Sequence, residues 1–258
     1  MTRASPSFVH GLWQVALRNL SVWRSYAVSS ALGNFGEPIL YLLAMGFGLG
    51  RVVPPIDGMS YAEFIAPGLV CSTVMYTATF EGTFGCYTRM ATQGTFGAIL
   101  ATPVTVDELV VGEIVWGAIK ATFGSAAVLL VISAFGLVSS YWALFMLPLA
   151  FVAGLLFTAA AMAITSLTRG YESFNYYFTL VAAPMFLFSG VFFPLDRTPS
   201  WVATAAMALP LTHVVAVARL LAHGCPDSRI WLNCAVLVAF LLVIGAVTLV
   251  AMRHRMRV

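Results

Sequence analysis

Runs of apolar residues divide this sequence into six stretches, 26–49, 61–87, 109–138, 143–167, 174–193 and 230–252. Each reaches the ~20 helical residues needed to cross a ~30 Å hydrocarbon core. Ahead of them, Val9, Leu12, Trp13, Ala16, Leu20 and Trp23 recur at helical spacing, with His10, Gln14, Arg18 and Ser21 on another side. That pattern predicts an amphipathic helix lying in the membrane interface; a cytosolic start to a long first span fits the same spacing. Six crossings place both termini on one side of the membrane.

The polar interruptions differ in kind. Residues 88–108 hold a short helical piece carrying Thr95, Phe96, Ile99 and Leu100, then a Thr102-Pro103 stop, then Asp107-Glu108 opening the next apolar helix. This segment reads as a docking loop, with no catalytic pattern in it. Residues 51–60, with Pro54-Pro55 and Asp57-Gly58, form a short turn, and 139–142 and 168–173 are minimal hairpins. Residues 194–229 are long, yet 201–221 stay apolar and are broken by Pro210. Such a piece predicts one or two short helices dipping into the outer leaflet; a plain extracellular loop is the alternative. The expected fold is therefore an all-α membrane protein: six transmembrane helices, an N-terminal interfacial amphipathic helix, and short outer-leaflet helices between spans five and six. It divides a single transmembrane domain, 1–258, into an interfacial helix (1–25), spans one and two (26–87), the docking segment (88–108), spans three to five (109–193), the outer re-entrant segment (194–229) and span six with a basic C-terminus (230–258).

Composition supports the membrane reading. The chain is 60% hydrophobic and 9% charged, against roughly 25% charged in soluble domains. A formal charge of +3, spread along the chain, gives no reason to expect nucleic acid. With cytoplasmic termini, Arg3, Arg18, Arg24, Arg89, Arg169, Arg253, Arg255 and Arg257 lie inside and Arg51, Arg197, Arg219 and Arg229 outside. Eight against four favours that orientation and places the docking segment in the cytoplasm. Residues 1–24 carry His10, Gln14, Arg18 and Arg24 and no unbroken apolar core, so no cleavable signal peptide is expected. Cys71, Cys86, Cys225 and Cys234 lack metal-ligand spacing and read as free thiols, with a Cys225–Cys234 disulfide left open.

Candidate chemistry is sparse. No P-loop is present, the single lysine sits inside a hydrophobic stretch, and neither His-Glu-x-x-His nor Gly-x-Ser-x-Gly occurs. No catalytic residue, metal site or cofactor is assigned to this chain. Ionisable groups within spans each cost roughly 2.5–3.5 kcal/mol at a helix centre and require a partner or a wet path. Glu37, just before Pro38, Glu81, and Glu113 with Lys120 are such groups, and Trp116 shares the face of the last two. They either line a translocation path or fix the packing through interhelical ion pairs; Glu113 and Lys120, two turns apart on one helix, can also pair with each other through rotamer reach or a water. Aromatic residues Tyr76, Phe80, Phe84 and Tyr87 on the second span, and Phe188 among those on the fifth, suit sugar rings and acyl chains or simple packing. The candidate path is thus Glu37, Tyr76, Phe80, Glu81, Phe84, Lys120 and Phe188.

Residues 94–104, Gly-Thr-Phe-Gly-Ala-Ile-Leu-Ala-Thr-Pro-Val, followed by Glu108-Leu109 and Gly112-Glu113, resemble the cytoplasmic coupling segment of type-2 ABC exporter permeases. Residues 189–196, Ser-Gly-Val-Phe-Phe-Pro-Leu-Asp, and 209–213, Leu-Pro-Leu-Thr-His, through Arg219 and Gly224, resemble that family's last outer region. With Gly33-Asn34, Glu37-Pro38 and Ala-Thr-Phe-Glu at 78–81, the sequence looks most like the nodulation protein J branch, permeases of lipo-oligosaccharide export. The resemblance implies two copies of this chain with two copies of a separate cytosolic ATPase, which would bind the ATP and Mg, in a bacterial inner membrane. It implies ATPase coupling through Thr95, Phe96, Ile99, Leu100, Thr102 and Pro103, and outward passage of an amphipathic glycolipid among membrane lipids. Where the family commonly has an acid this chain has Gly97, shifting the expected contact to Phe96, Ile99 and Leu100. Export of a polysaccharide or hydrophobic drug, or a non-ABC scaffold role, are the alternatives.

Overall fold

A computed structural model describes residues 8–25, 36, 38–224 and 227–256. Glu37, Gly33-Asn34 and Cys225 therefore lie outside the described residues, as do residues 26–35 of the predicted first span. The helices are α1 (Phe8–Arg24), α2 (Pro38–Arg51), α3 (Tyr61–Phe80), α4 (Thr95–Leu100), α5 (Val106–Ala134), α6 (Met146–Leu167), α7 (Glu172–Tyr177), α8 (Ala183–Phe188), α9 (Ser200–Met207), α10 (Pro210–Ala222) and α11 (Arg229–Arg255). Among the described residues the only β pairing is an isolated bridge between Ile56 and Met59.

Local chemistry explains where the helices begin. Ser60 and Thr105 each cap a helix by accepting from the backbone of the residue three ahead, while Glu63 and Glu108 reach back to the cap backbone at 2.7 Å. Both are reciprocal capping boxes that satisfy two orphan donors. α3 is apolar all round and buried on nearly every side between α2, α5, α6 and α10, as a hydrophobic helix without a polar face should be. α6 packs on α5 and α11. α1 lies against α5, where a Cβ on Gly112 would come within 2.8 Å of the Val15 side chain, so the helices touch only because residue 112 is glycine.

Three helices, Val106–Ala134, Tyr141–Leu167 and Arg229–Arg255, are long and apolar enough to cross a membrane, and a fourth arises if α9 and α10, bent by 93°, count as one broken span. The chain is a multi-pass membrane protein. Several expected boundaries move. Helix α3 does not stop at Tyr87 but continues through π-helical turns Glu81–Gly85 and Thr88–Thr92. The predicted fifth span is helical from Glu172 to Phe188 and then breaks at Ser189 and Gly190, whose φ of +75° ends the helix; this is shorter than the ~20 residues of a full crossing. Helix α1 buries Val15, Ala16 and Asn19 against the bundle and turns Val9 and Trp13 outward. The apolar stripe is thus divided, Ala16 facing the bundle and Val9 and Trp13 facing away from it.

The bundle has two distinct ends. One gathers α4, the start of α5 and the ends of α6 and α11: Arg253 forks onto Asp107, Arg255 donates to the Thr168 carbonyl at 3.2 Å, and Tyr87 donates to the Arg169 carbonyl at 2.7 Å. The other gathers the predicted outer turns, with Arg197 on Asp57 at 3.0 Å and Tyr61 donating to the Phe192 carbonyl at 3.1 Å. Cys71, Cys86 and Cys234 are free thiols.

Candidate functional site

Four ionisable side chains meet inside the bundle towards the end that carries α4. Arg89 Nη1 contacts Glu81 Oε1 at 2.7 Å and its Nη2 contacts Glu113 Oε2. Lys120 Nζ holds the second oxygen of Glu81 at 2.7 Å, and the Trp116 indole donates to Oε1 at 3.1 Å. Glu81 and Glu113 are 3% and 1% exposed, so their charges are stabilised by these partners and not by water. Two carboxylates face two cations. Residues eight apart lie about 12 Å apart along an α-helix. The wider π turns between Glu81 and Arg89 shorten that span and let the guanidinium reach back.

The cluster extends to the surface through α1. Asn19 Nδ2 donates to Glu113 Oε1 at 2.9 Å, Arg18 Nη1 donates to Asn19 Oδ1 at 2.9 Å, and Arg18 Nη2 reaches Thr95 Oγ1 on α4 at 3.4 Å. An amide can donate on one side and accept on the other, so Asn19 joins Arg18 to Glu113 without a charge of its own. The path from α4 to Lys120 is continuous, and its longest link is the one to α4.

Lys120 opens onto a cavity of about 230 Å³ whose polar lining is Ser72, Thr73, Tyr76 and Thr77 and whose apolar lining includes Tyr41, Phe80 and Phe186. A second cavity of about 310 Å³ lies on the other side of Phe80 and is lined by Phe84, Arg89, Asn19 and Trp116. Helix α4 follows Gly94, which takes φ +64° to turn the chain. It is pinned by Phe96, 2% exposed, among Val15, Leu109, Val110 and Ile114. Ile99 and Leu100 rest partly on the same cluster, while Gly97, Ala98, Thr102 and Pro103 face out.

Residues 10–222 match the family described as ABC-2 type transporter. The chain belongs to that family. It is 35% identical to nodulation protein J of Rhizobium meliloti (strain 1021), covering 93% of this chain and 91% of the relative, and 31% identical to nodulation protein J of Neorhizobium galegae over 99% and 97%. A third nodulation protein J, from Sinorhizobium fredii, is 37% identical over 78% of this chain and 77% of its own length.

As an ABC-2 permease the chain is the membrane component of a transporter and not itself an enzyme. Its geometry sorts the residues expected from sequence. Tyr76, Phe80 and Lys120 line the cavity beside the charge cluster, and Glu81 sits behind it. Phe188 does not join them: it is 46% exposed and lines an apolar recess against α9, and Phe186, two residues earlier, takes the cavity position. Phe84 is occupied in ring contacts with Phe80, Phe174 and Phe178. Glu113 and Lys120 do not pair with each other, because each finds a closer partner on α3. Phe96 cannot be a docking contact, since it is buried as the anchor of α4; the exposed face runs through Gly97, Ala98, Thr102 and Pro103. Arg89 and Asn19 were missed. The ionisable groups named within the spans are three acids, Glu37, Glu81 and Glu113, against one lysine, and that excess of negative charge was the available sign that a loop arginine turns inward.

Proposed function

We propose that this chain is the permease subunit of an ATP-driven exporter, acting as two copies with two copies of a separate cytosolic ATPase that binds ATP and Mg. The observation carrying this reading is the hydrogen-bonded path from α4 through Arg18, Asn19, Glu113, Arg89 and Glu81 to Lys120 at the cavity wall. Movement imposed on α4 by the ATPase is conveyed by α1 to the charge cluster, and the cluster shifts Lys120 and Tyr76. The membrane is the bacterial inner one, with the α4 end cytoplasmic and both termini inside. Removing the buried Arg89 and Arg219 from the loop count leaves seven arginines against three, still in favour of that orientation. The chain has six spans, as the apolar stretches predict, and α9 and α10 sit in the outer leaflet.

The cargo is an amphipathic glycolipid or lipo-oligosaccharide, taken up against Tyr76, Phe80 and the polar hydroxyls opposite them. The relatives' name supports a link to nodulation, and the mixed lining supports an amphipath over a uniformly polar polysaccharide. At about 230 Å³ the cavity is below the ~300–1,000 Å³ of common ligand sites, which supports a second copy completing it. The test is co-expression with the ATPase, followed by ATP-dependent uptake of a fluorescent glycolipid into inside-out vesicles. Asn19→Leu is expected to keep the ATPase bound and to lower uptake about tenfold, as loss of a buried charge-assisted bond of ~1.5–3 kcal/mol implies. Failure of the wild-type chain to retain an ATPase overturns the permease reading, and full uptake by Asn19→Leu overturns the transmission path.

A further inference from the structure

The outer ends of α6 and α11 stand apart. Lower in the bundle the two helices are tied, Thr248 Oγ1 donating to the Ala159 carbonyl at 2.8 Å. Towards the outer end the last turns of α10 lie between them, and a groove of about 610 Å³ remains. That volume falls within the ~300–1,000 Å³ of ligand sites. One wall is Trp142, Phe145 and Leu149, the other is Trp231 and Cys234, and Leu221 forms the floor. The groove follows α11 from Ile230 to Val238, about 12 Å at ~1.5 Å per residue. One leaflet contributes about 15 Å of hydrocarbon, so the depth suits a chain lying along the helix and stopping short of the midplane.

The mouth has different chemistry. Trp142 and Trp231 are 48% and 78% exposed, and such rings settle at headgroup level. Beside them Asp227 and Arg229 form an ion pair at 3.3 Å with both side chains open to solvent. We propose that this groove binds one zwitterionic phospholipid of the outer leaflet, an acyl chain filling the shaft and the headgroup bridging the pair at the rim. The phosphate meets the Arg229 guanidinium, a match of charge and geometry, and a primary ammonium meets the Asp227 carboxylate. A helix of a second copy would fill the shaft with side chains but offers no zwitterion to match the Asp227–Arg229 pair at the rim. The site is separate from the cavity beside Lys120 and does not depend on what the permease exports.

The experiment is native mass spectrometry of the full chain purified in mild detergent with phosphatidylethanolamine, phosphatidylcholine or phosphatidylglycerol. One phosphatidylethanolamine per chain is expected to stay bound, with the other two, which lack the primary ammonium, retained about tenfold less. Cys234→Trp fills the shaft and is expected to lower lipid retention of every kind at least tenfold while oligomeric state is unchanged. Asp227→Asn with Arg229→Gln alters exposed groups only, leaves folding undisturbed, and is expected to erase the preference among headgroups while acyl binding persists. Equal retention of all three lipids by the wild-type chain, or a preference that survives the rim double variant, overturns the headgroup assignment. Wild-type retention no greater than that of Cys234→Trp, or a change of oligomeric state in Cys234→Trp that marks the groove as a contact between copies, overturns the site.

Discussion

The two ends of the bundle bury an arginine by opposite means. Near the inner end Arg89 is held by two carboxylates, each of which is held in turn by a further group from α1 or α5. Towards the outer end Arg219 is as deeply buried, yet among the described residues no carboxylate lies within ion-pair distance. Its Nη2 donates to the Gly190 carbonyl at 2.8 Å, and its guanidinium lies 4.0 Å from the centre of the Phe64 ring. Carbonyl dipoles and an aromatic face stabilise a cation without fixing a counter-charge to it. Loss of Arg219 therefore strands no charge, whereas loss of Arg89 leaves the buried Glu113 without a cation, Glu81 keeping Lys120. The cluster around Arg89 is therefore a network of mutually dependent charges, and Arg219 an isolated cation held by dipoles.

This contrast sets an order of effects. Arg89→Ala is expected to be the most damaging change, costing about 3–5 kcal/mol because buried charges lose their compensation, measured by thermal unfolding in detergent. Arg89→Lys is expected to restore only part of that, since one ammonium cannot reproduce the fork that spans both carboxylates. Asn19→Ala comes next at about 1.5–3 kcal/mol, because Glu113 keeps Arg89. Arg219→Met is expected to cost about 1–2 kcal/mol, for a carbonyl bond and a ring contact; a loss as large as that of Arg89→Ala would break the distinction between the two ends. Smallest is Asp107→Asn, which removes the exposed pair with Arg253. Under about 1 kcal/mol is expected, fading as salt is added.

Sequence pattern was most informative where a single physical demand dominates. The long apolar runs of α5, α6 and α11 could satisfy their backbones in lipid only as helices, and Asp107-Glu108 marked the start of α5. The short α4 was legible from its apolar positions and the Thr102-Pro103 stop. Legibility failed where tertiary packing chooses between faces of one helix. The stripe on α4 could not say that Phe96 points into the bundle and Ala98 out of it. On the fifth apolar stretch, two residues separate Phe186 from Phe188, and a π turn at Phe178–Ala182 decides which one faces the cavity. Arg89 read as a loop residue because its inward position depends on the partners it finds there, Glu81 earlier on the same helix and Glu113 from α5.

The π turns of α3 also bear on how this sequence can vary. A turn closed by i→i+5 bonds holds one residue more than an α turn, and each residue rotates the helix by about 100°. Substitutions between Glu81 and Arg89 alter a side chain, but an insertion or deletion there swings Arg89 and everything up to α4 around the axis. The number of residues in that interval is therefore under tighter constraint than their identity.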